Sequence, residues 1–324
     1  MVTPQGQPPR PRDASEFIRR SGQPPAAKID QLRQERRETR EGDRTFIREG
    51  DRTIIRQNNR TIIRHDDNNR FAIGSRDVRV ERRGANRETI TDRPNGMRII
   101  DITDPQGRLL RRMRRDRDGR DIIIINNDYD RPRSSNFFIA LPPPMIRIPR
   151  NHYIVDADDA QYDDIYGAFT APPVEVLPER YTLDQVRFSA PVRDRMPRVD
   201  LDINFETGSW QLSPDQIARL SVIARALGSA IERNPSEVFL IEGHTDAVGN
   251  DDDNLSLSDR RAEAVAVALT EQFQIPPENL VTQGYGEQQL KVPSNGPERL
   301  NRRVAVRRIT PLIDQQANSA PPPQ

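Results

Sequence analysis

The chain has 324 residues, 34% of them hydrophobic and 31% charged, with 28 prolines, no cysteine and a net charge of +1. So little apolar material cannot pack every residue into a core, so structured units should alternate with solvated segments. The near-zero charge gives no global field toward nucleic acid, and the missing cysteines exclude disulfides, thiolate zinc sites, thiol nucleophiles and cysteine-borne lipid.

The three histidines, His65, His152 and His244, are too few for a histidine-built metal centre, and no metal or other cofactor is expected. The longest run of branched aliphatic residues, Ile122 to Ile125, falls far short of the roughly 20 apolar residues of a membrane-spanning helix. The stretch from Met1 to Pro9 has no apolar h-region and does not read as a secretory signal. Lys28 and Lys291 are the only lysines, so nearly every cation is arginine, which suits forked pairing but also fits a GC-rich coding bias.

Residues 1–40 read as a disordered Arg- and Pro-rich segment, with a short polar helix from Ile29 to Arg40 that lacks an apolar stripe. An Arg-rich β-repeat region follows over 41–130. Its eight-residue unit starts at Gly42-Asp43-Arg44-Thr45 and recurs from Gly50 and Asn58. Each unit joins a β-prone Thr-Ile-Ile or Thr-Phe-Ile core to a dipeptide suited to positive φ, which predicts a meander of short hairpins. Alternation puts Arg44, Phe46 and Arg48 on one face and Thr45 and Ile47 on the other. Longer strands are expected at Thr89–Thr91, Met97–Thr103, Arg108–Arg115 and Arg120–Ile125. The turns between the last three fall at Asp104-Pro105-Gln106-Gly107 and Asp118-Gly119.

Arginine beside nearly every apolar position argues against a lipid-facing barrel. Residues 41–130 hold 21 Arg against 17 Asp and Glu, a net of +4, with few aromatics. That is weak for a phosphate-tracking surface, and a solvated, salt-bridged sheet is expected. Residues 131–195 read as a Pro-rich and acidic linker. The acids Asp156, Asp158, Asp159, Asp163 and Asp164 lack the spacing of an EF-hand loop.

From 196 to 312 the pattern becomes that of a folded domain. A strand over Val199–Phe205 precedes a helix capped at Ser213 and running to Arg233, with Ile217, Leu220, Ile223, Ala224 and Leu227 inward. Val238–Glu242 reads as a central strand, and Ser258 as the N-cap of a second helix with Ala262, Val265, Ala266 and Leu269 inward. Strands over Leu280–Gly284 and Val304–Ile309 complete a β-α-β-α-β-β order and an α+β mixed sheet. The tail, 313–324, reads as disordered.

Gly243-His244-Thr245-Asp246 places a carboxylate fifteen residues before Arg261, a spacing that lets both face one ligand bearing an ammonium and a carboxylate. His244 has no nucleophile elbow or activating acid beside it and reads as a packing and hydrogen-bonding residue. Asp251-Asp252-Asp253 reads as a solvated loop, and Gly249 as a turn glycine.

This segment resembles the OmpA-like peptidoglycan-binding domain of outer-membrane OmpA proteins, the peptidoglycan-associated lipoprotein and flagellar motor stator proteins. The matching motifs are Ile203-Asn204-Phe205, Gly243-His244-Thr245-Asp246, Asn254 through Ala262, Gly284-Tyr285-Gly286-Glu287 and Asn301-Arg302-Arg303-Val304, in order over about 115 residues. The resemblance implies noncovalent binding of peptidoglycan through the diaminopimelate of the stem peptide, tethering the envelope to the wall. Asp246 would meet the ammonium and Arg261 the carboxylate, with Asn254 and Thr245 beside them and, from the last strand, Arg303 or its neighbour Arg302. Backbone N–H groups near Ser258 would add anion affinity.

The resemblance also implies the periplasm or outer membrane, peptidoglycan and other envelope components as partners, a homodimer as an allowed state, and no enzyme activity. The family usually carries a barrel, a lipidated cysteine or a membrane helix, none of which this sequence shows. A truncated start or attachment through the repeats would account for that. A wall hydrolase would need a zinc set or a nucleophile–base pair, and neither is visible. If the repeats bound an anionic envelope polymer, their binding would depend steeply on salt.

Overall fold

The computed structural model describes residues 28–58, 60–129, 137–177, 179–313 and 315. The disorder expected over 1–27 and 316–324 lies outside the described residues, as does Asn59 of the third repeat turn.

The helix expected from Ile29 to Arg40 is only α1 (Ile29–Arg33), and Arg37–Glu41 is instead strand β1. Pairing with β2 (Arg44–Glu49) across Gly42-Asp43 gives that segment backbone partners that a lone polar helix could not secure. β3 (Arg52–Gln57) and β4 (Arg60–His65) complete an antiparallel sheet in the order β1-β2-β3-β4. Two-residue loops join the strands, with positive φ at Gly50 (61°) and Asn58 (50°).

The repeat period has a geometric consequence. Register pairs Glu49 with Arg52 and Arg52 with His65, so equivalent repeat positions point to opposite faces in successive strands. Ile47, Ile54 and Ile63 all point inward and are buried, although Ile54 occupies a different repeat position from the other two. Two adjacent apolar residues per unit guarantee one on each face. By the same parity, Arg52 and Arg56 of β3 point inward, whereas Arg44, Arg60 and Arg64 of the flanking strands point outward.

After α2 (Asn68–Ala72), strands β5 (Asp77–Arg83), β6 (Asn86–Asp92), β7 (Arg98–Thr103), β8 (Leu109–Arg115) and β9 (Asp121–Asn126) form an antiparallel meander; β7 to β9 lie close to the expected spans, β6 is longer than expected and β5 is additional. Of the segment read as a linker, the described residues from Arg150 onward pack into the last unit. α3 (Arg150–Tyr153) leads to β10 (Ile154–Asp156), which pairs in parallel with β11 (Arg198–Leu201). α4 (Tyr162–Thr170) buries Ile165, Ala168 and Phe169, and the Phe169 ring meets Phe239 edge-on at 5.2 Å. Asp163 and Asp164 are its first turn, where acids complement the helix dipole. α5 (Leu183–Phe188) and α6 (Ala190–Arg193) follow, and Thr182 caps α5.

The expected first helix of the last unit is split into α7 (Pro214–Arg219) and α8 (Ser221–Arg233), with Ser213 as the cap. β12 (Phe239–Gly243), α9 (Asp251–Phe273), β13 (Leu280–Gly284) and β14 (Val304–Arg308) complete a mixed sheet in the order β10-β11-β14-β12-β13. Phe239 and Ile241 join the helix-side core with Leu227, Val265 and Leu269. Val238, Leu240 and Val281 face the other way, onto Ile124 and Ile125 of β9. The sheet is therefore covered on both faces, which explains the adjacent apolar residues of β12.

The repeat sheet is not solvated on both sides. Its inner face lies on α9, where Leu255 joins Ile47, Ile54 and Ile63. Around this contact Arg56 pairs with Asp252, Glu49 accepts from the Ser256 hydroxyl, and Arg52 pairs with Asp259 at 2.8 Å. Asp252, Leu255, Ser256, Asp259 and Glu263 form one helical stripe, so the sheet reads a single face of α9.

His65 is buried within this contact. Its Nδ1 lies 3.0 Å from Asp259, and its Nε2 lies 2.8 Å from Thr282 Oγ1, 3.4 Å from Asp67 and 3.8 Å from Glu263. Arg52, Arg70, Arg112 and Arg187 also reach these carboxylates, and Asp51 adds a further negative charge nearby. Burial alone would lower the His65 pKa, but Asp259 and Asp67 outweigh it and raise it from 6.5 to about 9. His65, Asp67 and Glu263 bring three ligand atoms together, but Arg70 and Arg112 already answer the two carboxylates.

A folded-state pKa above the unfolded value stabilises the protein below the unfolded pKa, and that contribution is lost as pH rises through the folded one. Urea midpoints of the wild type should therefore fall between pH 6.5 and 9, while His65→Gln should show a flatter profile there. Parallel profiles would remove His65 from the docking contact.

Candidate ligand-binding site

The site is built where β12 and β13 end against α9. A Cβ on Gly243 would lie 1.9 Å from Ser258 O, and one on Gly284 would lie 2.4 Å from Asp259 N. Only glycine lets the strand ends come so close to the helix backbone. Beyond them the loops are cross-tied. His244 N donates to Arg303 O at 2.9 Å, Thr245 N to Gly286 O at 2.9 Å, and Gly286 N to Ser258 Oγ at 2.9 Å.

Ser258 is therefore not a helix cap. α9 begins two turns earlier, where Asn250 Oδ1 accepts from Asp253 N at 2.9 Å. The helix N-terminus consequently carries Asp251, Asp252 and Asp253, which are its first turn and not a solvated loop. Arg33 and Arg36 neutralise Asp253. No anion nest forms at Ser258, whose hydroxyl donates to Leu255 O at 2.9 Å.

Asp246 is nearly buried. Its Oδ2 accepts from Arg302 Nη1 at 2.6 Å and from Glu298 N at 3.3 Å, and its Oδ1 from Val248 N at 3.4 Å. Arg261 is 2% exposed and makes no ion pair among the described residues. Its Nε donates to Ser209 O at 3.0 Å and its Nη2 to Glu206 O at 3.2 Å, while the Phe205 ring lies 4.9 Å from the guanidinium. Burial and then the Arg302 charge lower its pKa to about 10, against the pull of Asp246, so it stays cationic at neutral pH. Asn254, two turns before Arg261 on the same helix, donates to Glu287 Oε2 at 2.8 Å. The Thr245 hydroxyl is buried without a hydrogen-bond partner.

Arg303 does not join this group. Consecutive residues entering β14 project to opposite sides, so Arg302 takes Asp246 and Arg303 turns toward Gln289 O at 3.1 Å and Asp200 at 3.9 Å. Arg302, Phe205 and Glu287 each stand in a matched motif, but spacing alone does not single them out. His244 stacks on Tyr285 with ring centroids 5.5 Å apart, but neither ring nitrogen is hydrogen-bonded. Its nearest carboxylate, Glu242, is 3.8 Å away and engaged by Arg307 at 2.8 Å. Burial lowers the His244 pKa to about 3, so the ring is neutral packing.

Residues 204–303 match the model of the OmpA family. The putative lipoprotein YfiB of Escherichia coli is 36% identical over 112 residues, covering 34% of this chain and 67% of that protein. Through its C-terminal region the chain belongs to the OmpA family. Outer membrane porin F of Pseudomonas aeruginosa is 33% identical over 90 residues, covering 28% of this chain and only 25% of the porin. The solved peptidoglycan-associated lipoprotein of Burkholderia pseudomallei aligns at 24% identity over 33% of this chain and 86% of that chain, with a TM-score of 0.28. The relatives named are proteins of the outer membrane or lipoproteins, and among the described residues no helix is long and apolar enough to cross a membrane.

Two substitutions separate framework from site. Asp246→Ala removes the half-exposed Arg302 ion pair and two long hydrogen bonds from Glu298 N and Val248 N, and should cost about 1 kcal/mol of unfolding free energy. Gly243→Ala forces a methyl against the α9 backbone and should cost about 1–3 kcal/mol or more. Urea unfolding measures both; the reverse order would contradict the packing described.

Proposed function

We propose that the OmpA-like region binds peptidoglycan noncovalently through the diaminopimelate of its stem peptide and so tethers the envelope to the wall. The observation that carries this reading is Arg261: a buried guanidinium with no carboxylate partner among the described residues, two donors on main-chain carbonyls, and Asp246 and Arg302 beside it. A buried charge without a counter-charge is costly unless a ligand supplies one. A ligand carboxylate would answer Arg261 and Arg302, and the ammonium on the same carbon would answer Asp246. Thr245 and Asn254 supply polar groups beside this pair.

On this reading the protein works outside the cytoplasm, at the periplasmic face of the outer membrane, as a binding module and not an enzyme. Other envelope components and a second copy of the chain are the partners it would admit.

Co-sedimentation with purified peptidoglycan tests it. The wild type should pellet with diaminopimelate-type wall, and Asp246→Ala and Arg261→Ala should lose at least about tenfold in affinity, the effect of one charge-assisted pair. Arg261→Lys keeps the charge without the fork and should also weaken binding. Equal pelleting by folded variants, or equal binding to lysine-type wall, would defeat the assignment.

A further inference from the structure

The outward face of the repeat sheet takes no part in the site above. Over it lies a groove of about 840 Å³, lined by Arg44, Phe46, Ile55, Arg60, Ile62 and Arg64 of β2–β4 and closed by Arg108, Phe137 and Phe138. Gln57, Asn58 and Gln106 complete the lining, which among the described residues contains four arginines and no acid. We propose that this groove binds an anionic phospholipid, with the phosphate held by arginine and an alkyl chain laid over the phenylalanine and isoleucine floor.

The charge is available. Arg64 is tied to Asp184 at 3.1 Å and Arg108 to Asp104 at 2.6 Å. Arg44 and Arg60, by contrast, have no carboxylate partner among the described residues. Arg44 Nε donates only to Gln57 Oε1 at 2.9 Å, and the Arg60 guanidinium lies 4.0 Å over the Phe138 ring. Glu41 stands opposite Arg44 in the β1–β2 register without an ion pair to it, and Asp43, which feels the Arg44 charge, accepts from Gln57 Nε2 at 2.8 Å. Cations stacked on aromatic rings beside an apolar floor suit a ligand that is charged at one end and apolar along the rest.

A peptide is disfavoured by the backbone. β2 and β3 are paired on both edges, and at the outer edge of β4 the carbonyls of Ile63 and Thr61 already accept from Gln283 and Gln288. Among the described residues that line the groove, β2 and β3 have no free edge and the β4 edge is partly taken, which disfavours strand addition by a peptide, whereas a lipid needs no edge. Nucleic acid would need a basic track longer than two unpaired arginines.

Titration calorimetry of the full chain with dodecyl phosphate, below its micelle concentration, tests the site chemistry. One site should fill, with affinity about tenfold higher than for decyl phosphate because two methylenes are lost from the floor. Inorganic phosphate and the neutral amphiphile dodecyl maltoside should each bind at least tenfold more weakly. Arg44→Glu with Arg60→Glu should abolish binding while leaving the urea midpoint and peptidoglycan pelleting unchanged. Phe46→Ser should flatten the chain-length dependence. Flotation with phosphatidylglycerol vesicles but not pure phosphatidylcholine vesicles should follow the same variants. Equal binding of phosphate or of the maltoside, unchanged binding by the folded double variant, or displacement of dodecyl phosphate by an oligonucleotide or an acidic peptide would overturn the proposal.

Discussion

Asp259 is the residue on which the architecture turns. It is completely buried in the third turn of α9, and its carboxylate is shared three ways. Oδ2 accepts from Arg52 of the repeat sheet and lies 3.0 Å from His65 Nδ1, while Oδ1 accepts from Gly284 N at the end of β13. These partners outweigh desolvation and hold the carboxyl far below its usual range. A buried carboxylate is tolerated only when its lone pairs are filled, so helix, mixed sheet and repeat sheet must be assembled together. Arg261 is two residues along the same helix, so the contact that seats the repeats also fixes the site's guanidinium.

The eight-residue period gives that contact its form. An even period combined with a two-residue turn reverses the face of every repeat position at each hairpin. Identical units therefore perform two tasks. The arginines of β3 are spent inward on Asp252 and Asp259, and those of β2 and β4 are left facing outward. A lipid-facing barrel could not use such a unit, because half its arginines would meet hydrocarbon. A sheet packed on an acidic helix stripe can, because the helix supplies their counter-charges.

Much of this was legible in the sequence, and the reasons for the rest are physical. The hairpins announce themselves through dipeptides that tolerate positive φ, and the β-α-β-α-β-β order through periodicity and the Ser213 cap. Asp246 and Arg261 lie close enough for their charges to interact, as the spacing of the motif suggests. The burial of the repeat sheet is not legible, since Arg52 and His65 look like surface residues until Asp259 is opposite them. The start of α9 was misread for a related reason. Its first turn carries three acids, which resemble a loop unless the Asn250 cap and the arginines of α1 and β3 are counted. The described residues of 150–193 form short elements that hold shape by packing on α8, β11, β12 and β14, so their local composition suggests a linker.

The electrostatics around Arg261 follow from the same covering. Glu206 and Ser209 offer it only carbonyls, because the loop carrying them is held down by α1, where Ile29 N donates to Gly208 O at 3.1 Å. Carbonyl dipoles partly solvate a guanidinium but do not neutralise it. Asp246, the carboxylate whose charge reaches Arg261, is engaged by Arg302, so these two cations share it. A purely cationic ligand would worsen that imbalance, and a purely anionic one would have to lie beside Asp246. A ligand with both charges on one carbon corrects it without bringing like charges together. That balance, more than the presence of any one residue, supports reading the site as a receptor for an amino-acid head.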